Sequence, residues 1–166
     1  MSKEIGVDYR FEKLATKHNT ELAKLIRYNL KKHGLDIPGT VYFDSGLDKL
    51  SEFYNADTRR GYYVLVNSDD CVVGGVGFAE FPLFENCAEL QKLYLSDSEK
   101  GFGLGYKLIE FIEQKMLNAG YKASYLETHS NLEAAIHIYE KSGYERIARP
   151  KEVAHGAMNI FFCKQL

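Results

Sequence analysis

Leu93-Tyr94-Leu95-Ser96-Asp97-Ser98-Glu99-Lys100-Gly101-Phe102-Gly103-Leu104-Gly105 is the stretch that decides the fold. An apolar strand pattern ends at Leu95, a short polar loop follows, and alternate glycines open a helix pattern. That pattern runs Gly103–Asn118, with Leu104, Leu108, Ile112 and Met116 on one stripe, flanked by Ile109 and Phe111. Gly120 ends it. The first turn of a helix has N–H groups without intrahelical acceptors, and its dipole favours negative charge. Glycines let a bulky phosphate reach the backbone, and Lys100 adds a cation at the mouth. The dipole contributes only about 0.3–1 kcal/mol per exposed charge, so an anion there depends mostly on N–H hydrogen bonds. Two familiar phosphate patterns fail. Tyr106 stands where both GxxxxGK[ST] and GxGxxG need a glycine, and Leu108 follows Lys107. On these residues alone the corner is either a phosphate site or a ligand-free strand-to-helix turn.

The elements around it follow from periodicity. Glu89–Leu95 is the strand before the loop. Gly61–Asn67 and Cys71–Phe81 form a hairpin about Ser68-Asp69-Asp70. Gly74, Gly75 and Gly77 in its second strand predict close backbone approach or a bulge. Upstream lie a strand over Ile5–Phe11, a helix over Thr20–Lys32 closed by His33-Gly34, and a short helix over Leu47–Asn55. Downstream, Ser124–Glu127 is a strand, Asn131 caps a helix over Leu132–Lys141, and Tyr144–Ala148 and Met158–Lys164 are the last strands. Pro38, Pro82 and Pro150 fall between these segments. The order β-α-α-β-β-β-α-β-α-β-β predicts an α/β (α+β) fold, a sheet with helices packed on it. With 166 residues and no internal linker or repeat, residues 1–166 are expected to form a single domain.

Composition narrows the function classes. Lys and Arg total 21 against 23 Asp and Glu, a net charge of −2, so neither nucleic acid nor an anionic membrane is an expected partner. Met1–Arg10 is polar, with no apolar signal-peptide core, and no run is long enough to span a bilayer, so a cytoplasmic location is expected. Cys71, Cys87 and Cys163 are widely spaced and form no CxxC pair. The histidines lack metal-ligand spacing, so no metal is expected, and His155 has at most a weak place at the acceptor site.

Lys100-Gly101-Phe102-Gly103-Leu104-Gly105 resembles the pyrophosphate loop [QR]xxGx[GA] of the GNAT superfamily of N-acetyltransferases, with Lys in the first position. A second family element appears downstream: Asn131, Ala135, Tyr139, Gly143 and Tyr144 match N-x-x-x-A-x-x-x-Y-x-x-x-G-[FY]. The resemblance spans Val64 to Ile147. It implies a mixed, mostly antiparallel, V-splayed sheet with helices on both faces, and acetyl-CoA as co-substrate. The pantetheine arm would lie along Lys92–Leu95, with Leu93, Tyr94 and Leu95 contributing, as an added strand does. The pyrophosphate would sit on the amides of Lys100, Gly101, Phe102, Gly103, Leu104 and Gly105. Asn131 would bond the pantetheine arm or a bridging water, besides or instead of capping its helix. The family is often dimeric, so a homodimer is an expectation.

Acetyl transfer to an amine requires loss of an ammonium proton, polarisation of the thioester carbonyl and a proton for the departing thiolate. An amine of pKa about 10.4 lies some 3.4 units from balance at pH 7, or roughly 4.6 kcal/mol. Glu89, at the start of its strand, is the candidate base, with Glu127 a poorer rival and a water chain the alternative. By the family signature Tyr139 is the candidate general acid; by periodicity alone it is a core aromatic. A backbone N–H near Leu93 would steady the oxyanion. The acceptor, a small-molecule or peptide amine, would meet Gly34–Tyr54 and Arg149–Ala157, where Tyr42, Phe43, Asp44, Glu52 and Tyr54 suit a cation. The leading expectation is an acetyl-CoA-dependent N-acetyltransferase. A catalytically silent acyl-CoA-binding or sensor domain is the alternative, and an unrelated nucleotide-phosphate module comes third.

Overall fold

The computed structural model describes residues 8–153 and 156–166. Its elements in chain order are β1 (Arg10–Lys13), α1 (Asn19–Lys32), α2 (Leu50–Asn55), β2 (Gly61–Val66), β3 (Val72–Glu80) and β4 (Cys87–Leu95), then α3 (Leu104–Asn118), β5 (Ala123–Thr128), α4 (Glu133–Lys141), β6 (Glu145–Ile147) and β7 (Ile160–Gln165). They form one seven-stranded sheet, order β1-β2-β3-β4-β5-β7-β6. Every neighbouring pair is antiparallel except β4 and β5. The order of strands and helices and the α/β class are those the periodicity predicts.

Strand alternation sorts the core onto two faces. Tyr62, Val64 and Val66 of β2 pack with Leu22, Ile26 and Leu30 of α1 and Leu50 and Tyr54 of α2. Leu65 points the other way, into the cluster of Leu104, Leu108, Ile109, Ile112 and Met116 of α3 and Ile136 and Tyr139 of α4. A fully buried aliphatic side chain contributes about 1.5–3 kcal/mol, so the α3 stripe outweighs the cost of nucleating that helix several-fold.

The departures from expectation have local causes. The predicted helix over Leu47–Asn55 is a 3-10 turn, Leu47–Lys49, followed by α2, because Lys49 at φ −134° interrupts the helical path. Only part of the predicted first strand falls among the described residues, and β1 runs on to Lys13, pairing with Tyr63 of β2. Asn131 is not the cap of α4. Leu132 holds that position without a side-chain cap bond, and Asn131 Nδ2 instead donates to the His33 carbonyl at the end of α1, 3.0 Å away. Long-range anchoring has won over local capping. The predicted His155 lies outside the described residues.

Two strand features shape the site. β4 and β5 pair only over Cys87↔Ala123, Ala88↔Ser124 and Glu89↔Tyr125, after which they part. β5 stays with β7 as far as Thr128↔Ile160, and β4 stays with β3 as far as Leu95↔Gly74. The sheet is therefore splayed beyond Glu89. Within β4 the register slips: Gly77 faces Gln91 but Gly75 faces Tyr94, which makes Lys92-Leu93 a bulge, with Lys92 at φ +52°. Among the described residues no helix is long and apolar enough to cross a membrane.

Candidate active site

The splay opens a cavity of about 500 Å³ between β4, β5, α3 and α4. Leu93, Tyr94 and Leu95 of β4, Lys100, Gly101, Gly103, Leu104 and Gly105 of the corner, and Tyr139 of α4 all line it. These are residues singled out in the sequence. Phe102, Asn131 and Glu89 are not on its wall. The Phe102 ring is 40% exposed on the outside of the corner. Lys92, Glu127, Thr128, Asn29 of α1 and His33 just after that helix are also among the lining residues.

The corner is a row of unpaired donors. Gly103 precedes α3 without any side-chain cap bond, and the first backbone bond after it is Lys107 N–H to Gly103 C=O, 3.3 Å. Among the described residues the amides from Gly101 to Tyr106 find no backbone acceptor. Such donors at a helix start fit an anion. The glycines serve different ends. Gly101 and Gly103 hold φ of +87° and +75°, which only glycine adopts readily, and a Cβ on either would stand in open space. Gly105 has ordinary φ, but a Cβ there would lie 2.8 Å from Ile138 Cδ1, so it lets α4 close onto α3. Lys100 is not a free cation. It pairs with Asp97 at 3.0 Å, and Asp97 also takes Lys32 at 2.9 Å and the Tyr28 hydroxyl at 2.7 Å. The Tyr28 hydroxyl and the two lysines hold the Asp97 carboxyl well below the usual range and tie the loop to α1.

The α1/α2 face of β4 carries the titratable groups. Burial, then the charge of Glu127, raises Glu89 to about 7. Burial also raises Glu127 and lowers Lys92. The negative charges of Asp44 and Glu89 act against the Lys92 shift. Lys92 Nζ lies 3.5 Å from the Tyr54 hydroxyl, which donates to Gln91 Oε1 at 2.8 Å. Tyr139 is buried, its pKa well above that of a free phenol for that reason alone, and among the described residues its hydroxyl makes no protein hydrogen bond. A second hollow, about 580 Å³, opens over Pro38, Gly39, Thr40, Val41, Phe43 and Asp44. Gly39 C=O accepts from Ala157 N–H at 3.1 Å, which joins the two segments expected to meet an acceptor. Lys92 is the group that sequence reading missed as chemistry. Its pattern there is that of any strand residue, and only the bulge turns it onto the face of Glu89 and Tyr54.

A splayed mixed sheet with a helix starting at the splay defines a GNAT-type fold. The sequence pattern of the acetyltransferase (GNAT) family matches residues 30–144. The uncharacterized N-acetyltransferase YjgM of Escherichia coli (strain K12) is 34% identical over 137 residues, 81% of each chain. Among solved structures, a GNAT-family acetyltransferase of Staphylococcus aureus Mu50 superposes with TM-score 0.83 at 18% identity, over 95% of this chain and 99% of that one. The PaiA N-acetyltransferase of Thermoplasma acidophilum, solved in complex with coenzyme A, gives TM-score 0.75 at 18% identity, over 96% and 99%. The chain belongs to the GNAT family of acetyltransferases.

Proposed function

We propose that residues 1–166 act as one acetyl-CoA-dependent N-acetyltransferase domain that moves an acetyl group directly to a primary amine of a small molecule or peptide. The observation that carries this reading is the continuity of one cavity from the unpaired amides at Gly101–Tyr106 to the splayed strand Leu93–Leu95 and the Tyr139 phenol. A diphosphate held at one end sends a pantetheine-length arm along β4 toward the other. A fold relative solved in complex with coenzyme A supports a coenzyme site on this fold. Asn131, off the cavity wall but tied to His33, which lines it, would reach the arm directly or through a water.

The chemistry needs no protein nucleophile. The neutral amine attacks the thioester carbonyl, and the Leu93 N–H takes the developing oxyanion. Glu89, directly or through a water, accepts the amine proton; at about 7 its pKa is matched to the task near neutral pH. The tetrahedral adduct collapses, the C–S bond breaks, and the sulfur takes its proton from the Tyr139 hydroxyl, which regains one from solvent as the products leave. Burial keeps Tyr139 protonated but makes it a weaker acid than a free phenol. It acts as general acid by hydrogen bonding the sulfur as negative charge grows there and handing over that proton as the C–S bond breaks. Glu127 and Asp44, on the same side as Glu89, suit a cationic acceptor.

The test is a thiol-release assay with acetyl-CoA against a panel of amines, beside a thermal-shift comparison of acetyl-CoA, ATP and NAD. Stabilisation by acetyl-CoA together with amine-dependent thiol release is expected. Stabilisation with no release from any amine points to a silent acyl-CoA-binding domain, and stabilisation by ATP or NAD alone defeats both readings.

A further inference from the structure

Tyr62 carries a hydroxyl in the middle of an apolar cluster. The residue is fully buried on β2, its ring beside Tyr54. That ring lies across β3. A Cβ on Gly75 would stand 2.6 Å from the Tyr62 ring and hydroxyl, and one on Gly77 would be closer still. These glycines therefore clear a path for a tyrosine to reach over one strand to the next. At the far side its hydroxyl donates to the Lys92 carbonyl of β4, 2.7 Å away. Lys92 is the residue that holds the left-handed turn of the bulge, a conformation uncommon for a residue other than glycine.

The consequence passes through one peptide plane. Among the described residues every peptide bond is trans. In a planar trans peptide the Leu93 N–H points opposite to the Lys92 C=O. The carbonyl is drawn toward β2, so the amide turns away from β3, toward the gap that β5 leaves after Glu89↔Tyr125. Leu93 lines the cavity in that gap.

We infer that Tyr62 is a positioning residue: by gripping the Lys92 carbonyl it aims the Leu93 N–H at the thioester oxygen of bound acetyl-CoA. The inference rests on the acetyl-CoA reading above and adds to it a residue two strands from the reacting atoms.

The experiment compares Tyr62→Phe with Tyr121→Phe. Tyr121 is also a buried tyrosine that donates to a backbone carbonyl, that of Arg59 at 2.9 Å, but it does not line the cavity. The readouts are Tm, acetyl-CoA Kd, thiol-release kcat, and the infrared carbonyl stretch of bound acetyl-CoA labelled with carbon-13 at the thioester. Tyr62→Phe should lower kcat ten-fold or more and return the stretch toward that of free acetyl-CoA, with Kd within three-fold of wild type. Tyr121→Phe should lose comparable Tm yet keep the wild-type stretch and kcat. A folded Tyr62→Phe with unchanged stretch and kcat, or a Tyr121→Phe that moves them equally, overturns the inference. One readout stands without any variant. In the wild-type protein the Leu93 amide nitrogen-15 resonance should shift with acetyl-CoA and much less with coenzyme A, and equal shifts overturn the inference too. A wild-type protein that binds no acetyl-CoA defeats the functional reading itself, and the clamp with it. A wild-type protein that binds and transfers while Tyr62→Phe is indifferent defeats the clamp alone.

Discussion

The two ends of the cavity are built from different materials. At the Lys100–Gly105 end the working groups are main-chain amides, and the side chains matter mostly by being absent: Gly101 and Gly103 for their positive φ, Gly105 for close packing. At the Lys92 end stand side chains from separate elements, Lys92 of β4 and Glu127 of β5 on the wall, with Glu89 of β4, Tyr54 of α2 and Asp44 of the loop before it off the wall. On the proposed reading the first end, local in sequence and generic in chemistry, would hold the coenzyme, and the second, assembled over distance and tuned by burial, would meet the acceptor. Substitutions should therefore harm binding at one end and rate or pH dependence at the other.

Gly103→Val should show the largest effect. It forces a β-branched residue to φ +75° and puts methyl groups where the diphosphate would lie. Calorimetric titration should find acetyl-CoA binding weakened about 100-fold, equivalent to roughly 2.7 kcal/mol. Wild-type affinity in a folded variant would move the phosphate elsewhere. Tyr139→Phe should then lower kcat about ten-fold or more, less than the roughly 100-fold of a fully effective general acid because burial makes this phenol a weak one, while Kd for acetyl-CoA holds. A fall in affinity with kcat intact would make Tyr139 part of the binding end instead.

Glu89→Gln sharpens the contrast through pH. A carboxyl raised to about 7 is neutral below that value and can accept a proton only above it. The wild-type rate should rise through pH 7, and that limb should vanish in the variant. Linkage gives an independent check. Because the folded state binds this proton more tightly than the unfolded chain, Glu89 costs stability progressively as pH rises from about 4.5 toward 7. Glu89→Gln should accordingly raise Tm relative to wild type at pH 8 and leave it nearly unchanged at pH 4. A variant equally stable at both values, with an unaltered rate profile, rules out a buried base there.

Asn131→Ala should have the smallest effect. Losing the bond to the His33 carbonyl should cost roughly 0.5–1.5 kcal/mol of stability and leave KM for acetyl-CoA within about five-fold, less than about 1 kcal/mol of binding. A rise beyond ten-fold would mean that Asn131 touches the coenzyme itself.

The amide end was legible in the residues because it depends on spacing. The glycines at 101, 103 and 105, the stripe on α3 and the Asn131–Tyr144 element stand in one stretch of chain, and family resemblance adds their meaning. The element order was legible for the same reason: period 2 and period 3.6 are local signals. What failed was also local in origin. Asn131 reads as a helix cap because the partner that claims it, the His33 carbonyl at the end of α1, cannot be seen from the neighbouring residues.

The amino-acid order by itself determined which segments pair and pack and where a helix start is left bare, since backbone propensity and hydrophobic period act over a few residues. Only the tertiary structure decided that Tyr62 reaches Lys92, that Glu89 stands close enough to Glu127 to feel its charge, and that both lose water. Those facts depend on three-dimensional distance and on burial, and electrostatic energy follows both far more steeply than it follows position along the chain.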